Sequence, residues 1–167
     1  MPILEIATLP DPILRRKAHK VTDFDQDLKK LVADMIDTMR DAPGVGLAAP
    51  QVSVSSRIVV VEYVEEEDEQ DKKLYVVINP ELIFPSPEKV VGVEGCLSVP
   101  GLVGEVERYQ EVHVRGLNRQ GKPIKIKASG WLARIFQHEV DHLDGIVYTD
   151  LATRIWQPKT DEVIEDV

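Results

Sequence analysis

A single cysteine, Cys96, occurs among 167 residues, so the chain cannot close an internal disulfide. A lone thiol beside candidate histidines elsewhere is weighed as a ligand or nucleophile against the plainer reading of a small buried hydrophobe. No apolar run approaches the roughly 20 residues that span a bilayer, so no membrane partner is expected. The opening Met1-Pro2-Ile3-Leu4-Glu5-Ile6 lacks a basic region followed by an apolar stretch, and no Arg- and Ser-rich transit segment is present. A cytoplasmic protein is therefore expected. Cations are also outnumbered: 20 Lys and Arg stand against 29 Asp and Glu, giving a net charge of −9. That argues against broad binding to phosphate backbones, and no specific DNA binding is expected, while a small local basic patch remains compatible with it. Repeats and internal boundaries are lacking too. The length suits one domain over residues 1–167, with an acidic, weakly patterned tail from about residue 154.

Periodicity supplies the elements. Asp11 and Pro12 open a capped short helix or turn within Leu9–Ala18. From Asp25 to about Asp41, Leu28, Leu31, Val32, Met35, Ile36 and Met39 recur at helical spacing, and Pro43-Gly44 ends the helix. Arg57–Tyr63 and Leu74–Ile78 are β-branched and strand-like, and the charge run Glu65–Lys73 between them reads as a solvated hairpin tip. Val90–Val93 suggests another strand. Val112 and Val114, the turn Asn118–Lys122, then Ile124, Ile126 and Ala128 predict a β-hairpin with one wet face. A helix over Gly130–Leu143 follows, with Gly145 ending it before a last strand at Ile146–Tyr148. Strands around one central helix, with helices first and late, indicate an α+β fold of mixed or antiparallel sheets.

Chemistry concentrates in that helix, at His138-Glu139-Val140-Asp141-His142. Histidines four apart project from nearly the same side, so both imidazoles can share one cation. Glu139 lies about 100° round the helix, beside the open coordination position of a catalytic site. It shares a stripe with Leu132, Phe136 and Leu143, where an unpartnered carboxylate costs several kcal/mol. Arg134, Gln137 and Asp141 gather on another side and read as a solvated or partner-facing edge.

Two histidines leave a tetrahedral catalytic site one protein ligand short. Cys96, a soft thiolate donor, is the candidate, and the downstream carboxylate Asp150 is the alternative. In Gly44–Gln51, two glycines one residue apart permit close backbone approach but make no dinucleotide fingerprint. Gln51 is the one side chain of that stretch with amide donors for a reacting oxygen. His19 and His113 lack ligand spacing and are expected at surface or satisfied core positions.

Three stretches together, Gly44-Val-Gly-Leu-Ala-Ala-Pro-Gln51, Glu94-Gly-Cys-Leu-Ser-Val-Pro100 and Gln137-His-Glu-Val-Asp-His-Leu143, resemble the three motifs of peptide deformylases, in order and with compatible spacing. Leu9–Arg15 also resembles their N-terminal signature. The resemblance implies metal-dependent removal of the N-formyl group from the formyl-methionine of nascent polypeptides, with release of formate. Carried over, Cys96, His138 and His142 would hold the metal, most simply Fe²⁺ with Zn²⁺, Ni²⁺ or Co²⁺ as substitutes. Glu139 would be the general acid/base, and Gln51 and the Leu97 N–H the oxyanion donors. Val45, Gly46 and Glu94 match substrate-side and supporting positions.

This sequence also departs from the pattern. Trp131 and Arg134 stand where many members carry aliphatic residues lining the methionine pocket. Gly101-Leu-Val103 stands where many have a substrate-contacting arginine, Arg108 being the next one available. A transient ribosome contact is compatible with the resemblance, but the short acidic tail lacks the basic helix that supports such docking. A metallopeptidase and a non-catalytic binding module are the competing readings, and the intact Glu139 argues against the second.

Overall fold

The computed structural model describes residues 3–64 and 72–159. A 3-10 turn at Pro12–Arg15 begins with Asp11 accepting from the Ile13 N–H. Helix α1, Gln26–Asp41, is capped by the Asp25 carboxylate on the Leu28 N–H at 3.0 Å. Strands β1 (Gly46–Ala48), β2 (Ile58–Tyr63), β3 (Lys73–Ile83), β4 (Lys89–Cys96), β5 (Val99–Tyr109), β6 (Glu111–Leu117) and β7 (Pro123–Ser129) follow, with a second 3-10 turn at Ala49–Val52. Helix α2, Gly130–Leu143, then the single turn α3, Tyr148–Leu151, and strand β8, Arg154–Trp156, complete the order. Every strand pairing is antiparallel.

The strands form two sheets, β1-β2-β3-β6-β7 and β4-β5-β8. Pleat alternation gives the first sheet two apolar faces. Val59, Val61, Val77, Val112, Val114 and Ala128 pack with Leu132, Ala133, Ile135, Phe136 and Leu143 of α2. Ile58, Val60 and Ile78 point the other way, onto Leu28, Val32, Met35, Ile36 and Met39 of α1. The second sheet lies against another side of α2, with Cys96, Val99 and Val106 meeting Val147 and Tyr148. The central helix is thus enclosed, and only Gly130, Trp131 and Asp141, near its two ends, are less than fully buried.

The α+β expectation holds, as do α1 and the β6–β7 hairpin. Ile146–Tyr148 is not a strand. The Asp150 carboxylate accepts from the Val147 N–H at 2.9 Å and closes α3 instead, because three β-branched or aromatic residues offer too little ladder to outweigh that cap. The tail expected from about residue 154 opens with β8, paired to β5. Most of the charge run, residues 65–71, lies outside the described residues. Arg134 and Gln137 are buried rather than solvated, because β5 supplies partners: Gln137 receives the Tyr109 N–H at 3.0 Å and donates to the Tyr109 carbonyl at 2.8 Å. Among the described residues no helix is long and apolar enough to cross a membrane.

Met35 is fully buried between α1 and the sheet. Met35→Ala should therefore cost about 2–5 kcal/mol, read as a lowered denaturation midpoint at unchanged m-value.

Candidate active site

Strand β4 ends at Cys96, and a two-residue turn, Leu97-Ser98, leads into β5. This brings the thiol to α2, where Cys96 Sγ lies 3.4 Å from His142 Nε2. One ligand atom from each of Cys96, His138 and His142 lies within 4.8 Å of the others, and none of the three residues is more than 2% exposed. The donor set fits a divalent cation, since one thiolate and two imidazoles suit Fe, Zn or Co. Two further observations agree. His138 Nε2, His142 Nδ1 and both Glu139 carboxylate oxygens are buried with no hydrogen bond, which native interiors rarely tolerate without a ligand, ion or water to receive them. Asp150, the alternative third ligand, instead pairs with Arg15 at the surface.

The other nitrogen of His138 is fixed from behind. Its Nδ1 lies 2.8 Å from Glu94 Oε1, so Nε2 is the nitrogen left for the cluster. Glu94 is fully buried, and Arg108 grips it with two bonds, Nε to Oε2 at 2.8 Å and Nη2 to Oε1 at 2.9 Å. Arg134 Nη1 adds a third at 2.7 Å, while Arg108 Nη1 reaches Asp141 at 2.6 Å. Burial pushes the Glu94 carboxyl up, but Arg108 and His138 outweigh it and hold the group well below the carboxylate range. Burial likewise pushes His138 down, yet Cys96 and Glu94 bring it up to about 10. A cation competes with that proton for the same ring. Burial raises Glu139 to about 7, with His138 opposing.

Gln51 is oriented by its backbone neighbour. Its Oε1 accepts from the Ala48 N–H at 3.0 Å, so its amide nitrogen faces Ser98 Oγ at 3.1 Å and Cys96 Sγ at 3.7 Å. Gly46 on β1 crosses directly over Glu139: a Cβ there would stand 2.5 Å from Oε2. Val45 and Leu97 are half-buried on either side, in the α2 and α1 cores respectively.

Two of the residues expected at substrate positions have other commitments. Arg134 also donates to the Val106 and Val90 carbonyls, and Glu94 has every contact above to satisfy, so neither leaves a polar group free for substrate. With Trp131, Val90, Val91, Gly92 and Tyr109, Arg134 borders a depression of about 170 Å³. Arg108 was within view in the sequence only as a distant arginine; nothing local to residue 108 betrays its burial against Glu94. His19 is exposed and His113 half-buried, both outside the cluster.

Fold and donor set together describe a hydrolase-like site organised around one cation. The chain matches the Polypeptide deformylase family over residues 3–157. It is 54% identical over 157 residues to a peptide deformylase of Symbiobacterium thermophilum, covering 93% of this chain and 69% of that protein. A peptide deformylase of Halothermothrix orenii is 50% identical, over 93% of this chain and 97% of its own. The crystal structure of the Ehrlichia chaffeensis peptide deformylase in complex with actinonin superposes with a TM-score of 0.86 at 44% identity, covering 92% of this chain and 91% of that one. This chain belongs to the polypeptide deformylase family, a family of metal-dependent hydrolases acting on formyl amides.

A Cβ on Gly92 would fall 2.8 Å from Arg134 Cζ, so this glycine and that guanidinium are fitted to each other. Gly92→Ala should destabilise by about 1–3 kcal/mol. The double variant Gly92→Ala/Arg134→Leu should lose less than the two single losses added, as measured by a thermal double-mutant cycle.

Proposed function

We propose that this protein removes the N-formyl group from the initiator methionine of nascent polypeptides, releasing formate. The observation that carries the reading is the buried cluster of Cys96, His138 and His142 beside a carboxylate, Glu139, with both oxygens unpartnered. Cys96, His138 and His142 would hold the cation, Fe²⁺ first and Zn²⁺, Ni²⁺ or Co²⁺ as substitutes. When bound, that cation acidifies water and polarises the formyl oxygen.

The chain's own groups do the rest. Glu139 accepts a proton from the attacking water and returns it to the leaving amine, the ordinary duty of a positioned carboxylate. The Gln51 amide, already directed at Cys96, and the Leu97 N–H beside it donate to the oxygen on which charge develops. Glu94 holds the His138 ring in one tautomer through Nδ1. Among the described residues strand β1 pairs only with β2 and stands at the sheet edge, so Val45 and Gly46 lie where an extended peptide backbone can add alongside. The depression bordered by Trp131 and Arg134, one helical turn from His138, seats the methionine side chain. A formyl carbon carries only hydrogen, so a narrow site admits it and turns away internal peptide bonds. A transient contact with the ribosome places the enzyme where such substrates emerge.

The deciding experiment is an anaerobic assay of formate release from a formyl-Met peptide, with metal analysis of the same sample. Release of amine from internal bonds of a blocked, unformylated peptide, without formate from the first, would instead make the protein a metallopeptidase. Glu139→Ala should retain its metal by elemental analysis while kcat falls by about 10²–10⁴. Gln51→Ala should cost about 10²–10³ in kcat. Cys96→Ala should fail to hold a stoichiometric ion; unchanged stoichiometry and affinity would remove the thiol from the ligand set.

A further inference from the structure

The two donors assigned to the reacting oxygen, the Gln51 side chain and the Leu97 N–H, come from different turns of the chain. A donor of this kind works only if its direction is fixed before charge develops, and a misplacement of about 1 Å can forfeit about 10² in rate. A backbone N–H moves only with its chain. A glutamine amide swings on its side-chain torsions and has to be held by other groups. Gln51 is fully buried in the 3-10 turn Ala49–Val52, and its Oε1 accepts from the Ala48 N–H at 3.0 Å. That bond anchors one end of the amide and leaves the other free to pivot.

Ser98 supplies the second anchor. It is fully buried, and its Oγ accepts from Gln51 Nε2 at 3.1 Å. The two hydrogens of a planar amide nitrogen keep a fixed angle to each other, so directing one at Ser98 also directs the other. Cys96 Sγ, 3.7 Å from the same nitrogen, is a weak acceptor at long range and leaves that second N–H available to an oxyanion. Ser98 is itself clamped: its carbonyl accepts from the Leu9 N–H at 3.0 Å, and the Gln51 carbonyl accepts from the Ala7 N–H at 2.7 Å. Residues 7–9 thus strap together two turns that lie 47 residues apart in the chain. Since Leu97 adjoins Ser98, the same strap spaces the Gln51 amide from the Leu97 N–H. A buried serine can be kept merely to satisfy a buried amide. Here the amide it satisfies has its other N–H left over for chemistry.

We propose that Ser98 is a positioning residue that aims the Gln51 amide at the reacting oxygen, in register with the Leu97 N–H. The inference rests on the deformylase reading, in which those two donors serve one oxygen. Ser98 acts through Gln51 and has no duty toward the cation. Without its Oγ the amide keeps the Ala48 bond, loses its second anchor and swings, and a buried N–H is left without its partner. The oxygen carries little charge while the substrate is only bound. The loss therefore falls on the transition state and leaves substrate binding nearly as it was.

The test is a double-mutant cycle on formate release from a formyl-Met peptide by the full-length, metal-loaded protein, with metal content and melting temperature measured on each sample. Ser98→Ala should lower kcat by at least about tenfold while KM moves by less than about twofold. In the Gln51→Ala background the same substitution should change kcat by less than about twofold, because no amide is left to aim. Ser98→Thr, which keeps an acceptor oxygen on the same carbon, should recover most of the loss. Every variant should hold a stoichiometric ion. An unchanged kcat in Ser98→Ala, a loss carried by KM, or the full loss repeated in the Gln51→Ala background would overturn the proposal. So would a threonine variant that melts with the wild type yet turns over as slowly as the alanine one. Depletion of metal in Ser98→Ala would overturn it too, by making Ser98 a support of Cys96. Absence of formate from the wild type would instead overturn the deformylase reading and this inference with it.

Discussion

The carboxylate of Glu94 is the point at which the second sheet is tied to the central helix. It is fully buried, and alone it would be too costly to keep ionised. Arg108 from β5 and Arg134 and His138 from α2 converge on its two oxygens, so one strand, its neighbour and the helix are bound through a single group. Arg108 carries the linkage on to Asp141, one helical turn beyond His138. Such a network is worth little against a well-packed apolar substitute, but losing one partner strands a buried charge at a cost of about 3–5 kcal/mol. Its value is therefore geometric. Cys96 stands two residues beyond Glu94 on the same strand, so fixing Glu94 on α2 also fixes how far the sulfur stands from His142.

The same carboxylate explains why the helix can be enclosed. A helix buried on all sides is ordinarily apolar on all sides. Here α2 buries Arg134, Gln137, His138, Glu139 and His142 together. Arg134 and Gln137 reach strand carbonyls at Val90, Val106 and Tyr109, and Arg134 and His138 share Glu94. Among the described residues, what remains unpartnered is Trp131 Nε1 together with atoms of His138, His142 and Glu139. Structural polar groups and reactive ones are thus separated by whether the scaffold satisfies them. Gly46 completes the separation by bringing backbone, rather than a side chain, over Glu139.

Much of this was legible because it is local. The spacing of His138 and His142, the apolar stripe holding Glu139 and the alternation through β6 and β7 each repeat within a few residues, and each survives in the fold. Arg134 and Gln137 were misread because an amphipathic pattern reports only which residues are polar. Whether they meet water depends on partners as far away as Glu94, 40 residues off, and Tyr109, 28 residues off. Arg108 was hidden for the same reason. The strand expected at Ile146–Tyr148 failed on a different count: the hydrogen bond from the Val147 N–H to Asp150 is a local competitor that β propensity ignores. Strand β5, which is long but broken by Gly101 and Gly104, lacks clean alternation and offered little to read.

The first sheet shows how one chain can be acidic as a whole and basic on one ribbon, where Arg115, Lys125 and Lys127 are exposed. Its α2-facing side is apolar throughout because it must pack, which leaves the opposite side free to vary wherever α1 does not reach. Charges placed there cost the core nothing, and the penalty for setting Arg115 against Lys125 is only a few tenths to about 1 kcal/mol. Scattering the same cations over the acidic surface would relieve that repulsion and erase the local field. Keeping them in register on one exposed ribbon, on the face of the sheet turned away from α2, preserves an oriented charge without bringing any of it near the buried Glu139.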